Sequence, residues 1–519
     1  NDVGANSNTG VGNRALFSNT SGTNNTALGF DAMRFNTTGV ENVAIGSFAL
    51  DANTTGNYNV ALGVSALSTN TTGVNNIAIG VNALLLNTLG NNNVAMGFRA
   101  LRANTSGTNN VAVGFNANAA NTTGFQNVAI GAQSLFTNTI GENNTAVGYD
   151  ALRLNTEGLE NVAIGAFALD ANTTGNYNIA LGVSALSSNT TGLSNVATGV
   201  NALVLNTTGN YNVALGFEAL YSNTTGNSNV ATGRNAMRAN TTGIQNVAIG
   251  DRALLTNTDG DSNTSLGFES MLSNTTGEEN VALGAYALNA NTTGSYNVAN
   301  GVSALFTNSI GANNVALGVN ALRLNNSGND NIAIGSSALI DNTTGINNVA
   351  IGANTLINHQ TSNNNIAIGY NAQVPNTTGD NQVRIGNTAV TYAGVQVAWT
   401  ITSDSFWKDQ IRDLPYGLNL ISQLRPVDYI RKNNRLNLRE TGFVAQEVET
   451  LLKELGYDNQ GLLSKDDNGR LGIRYNDFIP MLVKAIQEQQ TQINQLEQEL
   501  SKYKQLEERL LKLEEKLKE

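Results

Sequence analysis

The chain has 519 residues, too many for one compact core, so several domains or an elongated array are expected. It contains no cysteine, which excludes a disulfide framework and thiolate metal sites and leaves the redox compartment open. With 28 Lys+Arg against 39 Asp+Glu the net charge is −11, which argues against a nucleic-acid backbone as partner.

Fifty-three glycines against four prolines, with abundant Asn and Thr, is the bias of a turn-rich repeat. No apolar run approaches the roughly 20 residues of a membrane span. The sequence opens at Asn1 rather than Met and shows no signal peptide. The expectation is a removed leader or an upstream part that carries any anchor.

The first element is an array. "VENVAIGSFALDANTTG" (40–56) is one unit of 17 residues, and its Gly46 returns at every seventeenth position from Gly12 to Gly386, 23 glycines without insertion or deletion. Val43 and Ile45 share one face of a short strand and Ala44 takes the other, because side chains alternate with period 2. Ala49-Leu50 begins a second short segment, and "NTTG" (53–56) is turn chemistry, with Asn and Gly suited to left-handed dihedrals. Gly, Asn and Thr rank low in helices, and the apolar positions return in register, as disordered tracts do not. The unit therefore predicts a parallel β-solenoid over 1–386, its apolar positions stacked as an inner ladder. At about 4.8 Å per coil the rod is roughly 110 Å long. A second period lies on top: "FALDANTTGNYNVALGVSAL" (48–67) returns 119 residues later and again 119 after that, which reads as duplication of a seven-unit block.

The "NVAIG" core resembles the "SVAIG" motif of trimeric autotransporter adhesin heads of the YadA type. Such a resemblance implies parallel β-rolls that assemble as trimers, although the 17-residue unit is longer than is usual there.

Several residues in the array invite a functional reading. The Asn-Thr-Thr triplets match the N-glycosylation sequon, but turns and stacked hydrogen-bond ladders account for them. His359, the sole histidine, has no Cys or clustered acids beside it, so no metal site is expected. Glu41, Asp51 and Asp150 read as a solvated face. Tyr58, Tyr177 and Tyr296 recur every 119 residues after a turn glycine, as coil-edge packing or, less simply, a sugar platform. Nothing in the array gathers a catalytic constellation or a cofactor site.

From about residue 387 the period stops. Residues 387–402 are β-branched and aromatic and read as a strand-rich junction. Then come the first lysine, Lys408, three of the four prolines and helical patterns, giving a small α+β domain over 403–480. Residues 481–519 carry a near-heptad seam of Ile486, Ile493, Leu496, Leu500, Tyr503, Leu506, Leu510, Leu513 and Leu517, which predicts a coiled coil. The three-plus-three step at 500–503–506 is expected to overwind it locally.

"SDSFWKDQI", "YGLNLISQLRPVDYIRK" (416–432), "GFVAQEVETLL" (442–452) and "YNDFIPMLVKAIQEQ" (475–489) follow in order. Together they resemble the intramolecular chaperone domain of the S74 peptidase family, which ends endosialidase tailspikes and many phage tail fibres. The resemblance implies that the domain trimerises a β-rich fibre and then cuts itself off before the serine of Ser-Asp-x-x-x-Lys. Carried over by position, Ser403 is the nucleophile, Lys408 its base, Asp404 an orienting group, and the scissile bond joins Thr402 to Ser403.

Elementary chemistry asks the same of these residues. A serine hydroxyl needs a neighbour to take its proton, and a lysine does so only when neutral, which burial favours. Phe406 and Trp407 are the candidates for the apolar wall. The expected function is a homotrimeric fibre of phage-tail or cell-surface adhesin type, extracellular, attached to a glycan or protein receptor. Its enzymology is a single self-cleavage. The alternatives are a glycan-degrading tailspike with the same chaperone and a fibre with an uncut, permanent trimerisation cap.

Overall fold

The structure is a computed structural model that describes residues 6–397, 399–432, 437–457 and 461–518. It divides into two compact units, Asn1–Ala372 and Gln373–Glu519.

The first unit is a parallel β-solenoid. Twenty-two strands of three residues, from β1 (Thr9–Val11) through β3 (Val43–Ile45) and β13 (Val213–Leu215) to β22 (Ile366–Ile368), follow one another at intervals of 17 residues. Each pairs in register with the next: Val43 faces Val60, Ala44 faces Ala61 and Ile45 faces Leu62. Coils are also bonded through their turns, as where Leu50 N–H reaches Ala66 O at 3.0 Å and Thr54 N–H reaches Thr71 O at 3.0 Å.

The interior differs from the expected inner ladder in one respect. Ala44, Ala49 and Leu50 are wholly buried, with their equivalents in other coils, while Val43 and Ile45 point outward. The coil is too narrow for two facing rows of branched side chains, so the strand turns its smallest residue inward. The Ala-Leu pair is not a strand but a turn in which Phe48 (φ 61) and Leu50 (φ 52) both adopt the left-handed conformation. That costs about 1–2 kcal/mol for a residue with a Cβ. It is offset by burying a leucine, worth roughly 2–3 kcal/mol, and by the bonds to neighbouring coils.

Two asparagine columns run through the core. Asn53 Nδ2 donates to Asn36 Oδ1 at 2.7 Å and to Gly56 O at 3.0 Å. Asn59 Nδ2 donates to Asn42 Oδ1 at 3.1 Å and to Gly73 O at 2.9 Å. Because buried polar groups are tolerated only when paired, these ladders let the core be polar along its whole length. Asn376, in the second unit, heads an exposed triplet, but within the coils the Asn of each triplet, such as Asn53, is buried and bonded and offers no nitrogen to a glycan. It is not left-handed, and neither is Gly56. Gly56 is required because a Cβ there would lie 2.4 Å from both Asn53 Oδ1 and Gly73 O.

The Asn212 side chain donates to Asn195 Oδ1 and Gly226 O and accepts from Asn229 N–H. Asn212→Ala orphans the Asn229 N–H, while Gly226 O keeps the Asn223 side chain as donor, and should destabilise the array by about 1–3 kcal/mol, read from denaturant melting. An unchanged melt would show that water enters the column.

Charges sit otherwise than on a solvated face. Glu41 is exposed, but Asp51 and Asp150 are drawn into ion pairs with Arg34 and Arg153. Burial pushes both carboxyls up, with the arginine opposing. The Asp31, Arg34, Asp51 group returns 119 residues on as Asp150, Arg153, Asp170. So does the edge-to-face pair Phe30–Phe48, as Tyr149–Phe167.

His359 stands in the asparagine column, buried, with Nδ1 2.9 Å from Ser362 Oγ. Tyr58, Tyr177 and Tyr296 are exposed and left-handed. Among the described residues no three His, Cys, Asp or Glu side chains stand close enough to hold a metal ion.

In the second unit β23 (Val383–Ile385) repeats the strand pattern with Arg384 in place of the inner alanine. Residues 387–402, expected to be strand-rich, contain no strand among the described residues. Tyr392, Val397, Trp399 and Ile401 are exposed, and β-propensity without an edge to pair with does not make a strand.

A small α+β core follows. It comprises α1 (Leu418–Ile421), the antiparallel pair β24 (Val427–Ile430) and β25 (Arg439–Gly442), α2 (Ala445–Glu454), the antiparallel pair β26 (Leu463–Lys465) and β27 (Leu471–Ile473), and α3 (Phe478–Lys516). Leu420, Val448, Leu452, Tyr457, Leu462, Phe478 and Met481 form the core. The 39-residue α3 contributes its first turns to that core, and Glu488 caps the start of α1 through Leu418 N–H at 2.7 Å. Beyond Ala485 the predicted seam is exposed from Ile486 to Leu517. No helix is long and apolar enough to cross a membrane among the described residues.

Candidate functional site: a serine and a lysine on one turn

Residues 405–407 fold as a single 3-10 turn. Asp404 starts it: its Oδ1 accepts from Phe406 N–H at 2.8 Å, the usual role of an aspartate at an N-cap. The turn closes with Trp407 N–H on Asp404 O at 3.2 Å and Lys408 N–H on Ser405 O at 3.1 Å. One turn is enough to reverse the chain, and Lys408 returns to Ser403, where its Nζ donates to Oγ at 2.6 Å.

A nucleophile and a base must stand at about this distance, 2.6–3.2 Å, for proton transfer. Activation needs the reverse bond, with the serine hydroxyl donating to a neutral amine, across the same two atoms. Of the four residues expected at the site, the turn brings together Ser403, Asp404 and Lys408. Thr402 precedes them in exposed, irregular chain. Asp404 acts on the backbone of the turn and so positions the lysine, rather than bonding to it.

The apolar wall is not closed over the pair within one chain. Phe406 and Trp407 pack edge to face at 5.0 Å against each other, 81% and 73% exposed. Ser403 and Lys408 are exposed as well. Trp399, four residues before Ser403 in sequence, is also exposed. Aromatic residues so placed are the usual anchors of an interface. The sequence pointed to these residues through the resemblance of its ordered blocks to the S74 chaperone; the exposure of the aromatics had no local signal.

Neither a curated protein nor a solved structure matches the chain. Of the four sequence blocks, "YNDFIPMLVKAIQEQ" lies beyond the matched residues; the serine–lysine turn, α1, the β24–β25 pair and α2 lie within them. It is to the peptidase S74 family, the chaperone of endosialidase, that this end of the chain is similar: the family's model matches residues 403–457, directly after the junction that follows the solenoid.

Proposed function

We propose that the chain is the subunit of a homotrimeric fibre whose C-terminal unit assembles three solenoids in register and then cuts itself away before Ser403. The observation that carries this reading is the 2.6 Å pairing of Ser403 Oγ with Lys408 Nζ inside a segment similar to a dedicated fibre chaperone.

Two exposed apolar surfaces support the assembly. The outward columns of β1–β22, the Val43 and Ile45 positions, carry no charged residue in any coil and are interrupted only by scattered polar residues such as Thr198, Thr232 and Asn300. Monomeric proteins rarely leave apolar patches of more than a few hundred Å2 in water. The seam of α3 is the second, and a heptad stripe gains its stability by packing against other helices that carry such a stripe, for which two further copies of α3 would serve. Parallel β-structure pays chain-closure entropy before it gains contacts, so joining the chains at one end first lowers that cost.

The chemistry balances without a cofactor. Neutral Lys408 takes the proton of Ser403 Oγ, and the oxygen adds to the carbonyl carbon of Thr402. The carbon–nitrogen bond breaks, the lysine returns its proton to the departing Ser403 amine, and water hydrolyses the resulting ester. The products are a shaft ending in the Thr402 carboxylate and a chaperone starting at Ser403. Packing Phe406, Trp407 and Trp399 between chains would dry the pair and favour the neutral amine, so that cutting waits for assembly. The fibre then serves attachment to a cell-surface glycan or protein, outside the cell or on a virion.

A glycan-cleaving reading needs two accessible carboxylates about 5–10 Å apart. The array's paired acids, Asp31 with Asp51 and Asp150 with Asp170, are engaged by arginines instead.

Intact mass of purified wild type beside Ser403→Ala and Lys408→Ala tests the proposal. The expected result is a wild-type fragment ending at Thr402 and two uncut variants. Full-length wild type after folding would overturn the cleavage and leave the domain a permanent cap.

A further inference from the structure

The turn between β26 and β27 does more than reverse the chain. Asp466 builds it: its Oδ1 accepts from Asn468 N–H at 3.0 Å and Arg470 N–H at 2.8 Å, and Gly469 takes a left-handed φ of 77. That leaves the next carboxylate, Asp467, pointing outward on a fixed backbone. It meets residues 375–377, the segment that follows the last solenoid coil in sequence. Asp467 N–H donates to Pro375 O at 3.0 Å, and Asp467 Oδ2 accepts from Thr377 N–H at 2.7 Å.

The pair of bonds copies one bridge of a parallel ladder, in which one residue bonds to the two neighbours of the residue it faces, with a carboxylate oxygen in the place of a carbonyl. The receiving segment is also fixed beforehand. Asn376 N–H is held by Gln382 Oε1 at 3.0 Å, Gln382 Nε2 donates to Asn376 O at 2.7 Å, and Asn376 Oδ1 accepts from Thr378 N–H at 2.9 Å. Two turns rigid in themselves lose little conformational entropy on meeting.

We infer that residues 466–469 form a docking turn for residues 375–377 of this chain, and that the docking is held by the tether and let go when the tether is cut. The contact spans 90 residues of sequence, and the bond between Thr402 and Ser403 lies inside that loop. While the loop is closed, each side sees the other at an effective concentration of the order of mM. Two exposed hydrogen bonds, even one to a carboxylate, do not hold separate molecules together at lower concentrations. Cutting the loop therefore removes the condition for the contact. The turn holds residues 375–377 against the chaperone while the chain is whole and frees them afterwards. Only this last step rests on the cleavage proposed above.

Hydrogen exchange of the full chain, followed by fragment-resolved mass spectrometry, tests it in the Ser403→Ala background. The Thr377 amide should be protected there, and Asp467→Ala should speed its exchange about tenfold, the effect of losing one charge-assisted bond. Asp467→Asn, which keeps an oxygen acceptor, should fall between. Unchanged protection of Asn468 and Arg470 would show that the turn itself survives in each variant. In cut wild type, Thr377 should exchange as fast as with Asp467→Ala. Equal exchange of Thr377 with and without the Asp467 carboxylate would overturn the docking. Protection that survives cutting would overturn the dependence on the tether. If wild type stays whole, the cleavage reading fails by itself, and the Asp467 comparison still decides the docking.

Discussion

Replacing Gly199 by alanine is expected to destabilise the array by about 3–5 kcal/mol, far more than a surface change in the same coil. Gly199 stands at the corner after β12, Val196–Thr198, with φ +133, where L side chains have essentially no allowed conformation. A Cβ there would also lie 2.4 Å from Gly216 O and 2.7 Å from Gly216 C, both backbone atoms of the next coil that cannot swing aside. The corner would have to open, and with it the pairing of Val196 and Ala197 with Val213 and Ala214. In a one-dimensional stack such a break separates the coils on either side into two cooperative blocks. Calorimetry of the variant should show two transitions where wild type shows one, with Val200→Ala, at an exposed neighbour, as control. A single unshifted transition would mean the coils are not packed as described.

The second large effect concerns the outward face. Ile130, Ile164, Leu215 and Ile249 lie in one exposed column. Changing all four to Asp should leave each coil intact, since none touches the core. If three copies bury this column against one another, every unpaired carboxylate costs several kcal/mol. The assembled shafts should then come apart from each other, with β-structure retained by circular dichroism and the mass by light scattering falling towards that of one chain. Ala214→Asp, aimed into the core of a single coil, should instead destroy structure. Unchanged mass and melting in the fourfold variant would place the column in water and remove the main support for shaft-to-shaft packing.

Much of this molecule was open to reading because its sequence is periodic. A 17-residue interval without slippage leaves few alternatives to a coil per unit, and alternation inside "NVAIG" puts Ala on one side and Val and Ile on the other. The candidate site was legible for a different reason: the ordered blocks from "SDSFWKDQI" onward resemble the S74 chaperone, and that resemblance, rather than the spacing of Ser403 and Lys408, singled the pair out.

What failed was inference from local preference. Leucine and phenylalanine avoid the left-handed region, yet Phe48 and Leu50 adopt it in the same turn, because inter-coil hydrogen bonds and a buried side chain outweigh a local cost. Residues 387–402 are β-branched and aromatic, yet form no strand among the described residues, for want of an edge. Asp150 looked like a surface charge and is buried beside Arg153.

The sequence by itself therefore determined the repeat, its length and the place where the repeat gives way to a different segment, since these depend on order along the chain. Which way each strand faces was decided only by tertiary structure. Alternation distinguishes two faces without saying which is inside, and the narrow coil with its asparagine columns admits alanine and excludes valine and isoleucine. The branched side chains are left outside, along the whole array, and the Asp467 docking, 90 residues distant in sequence, likewise exists only once both turns have folded.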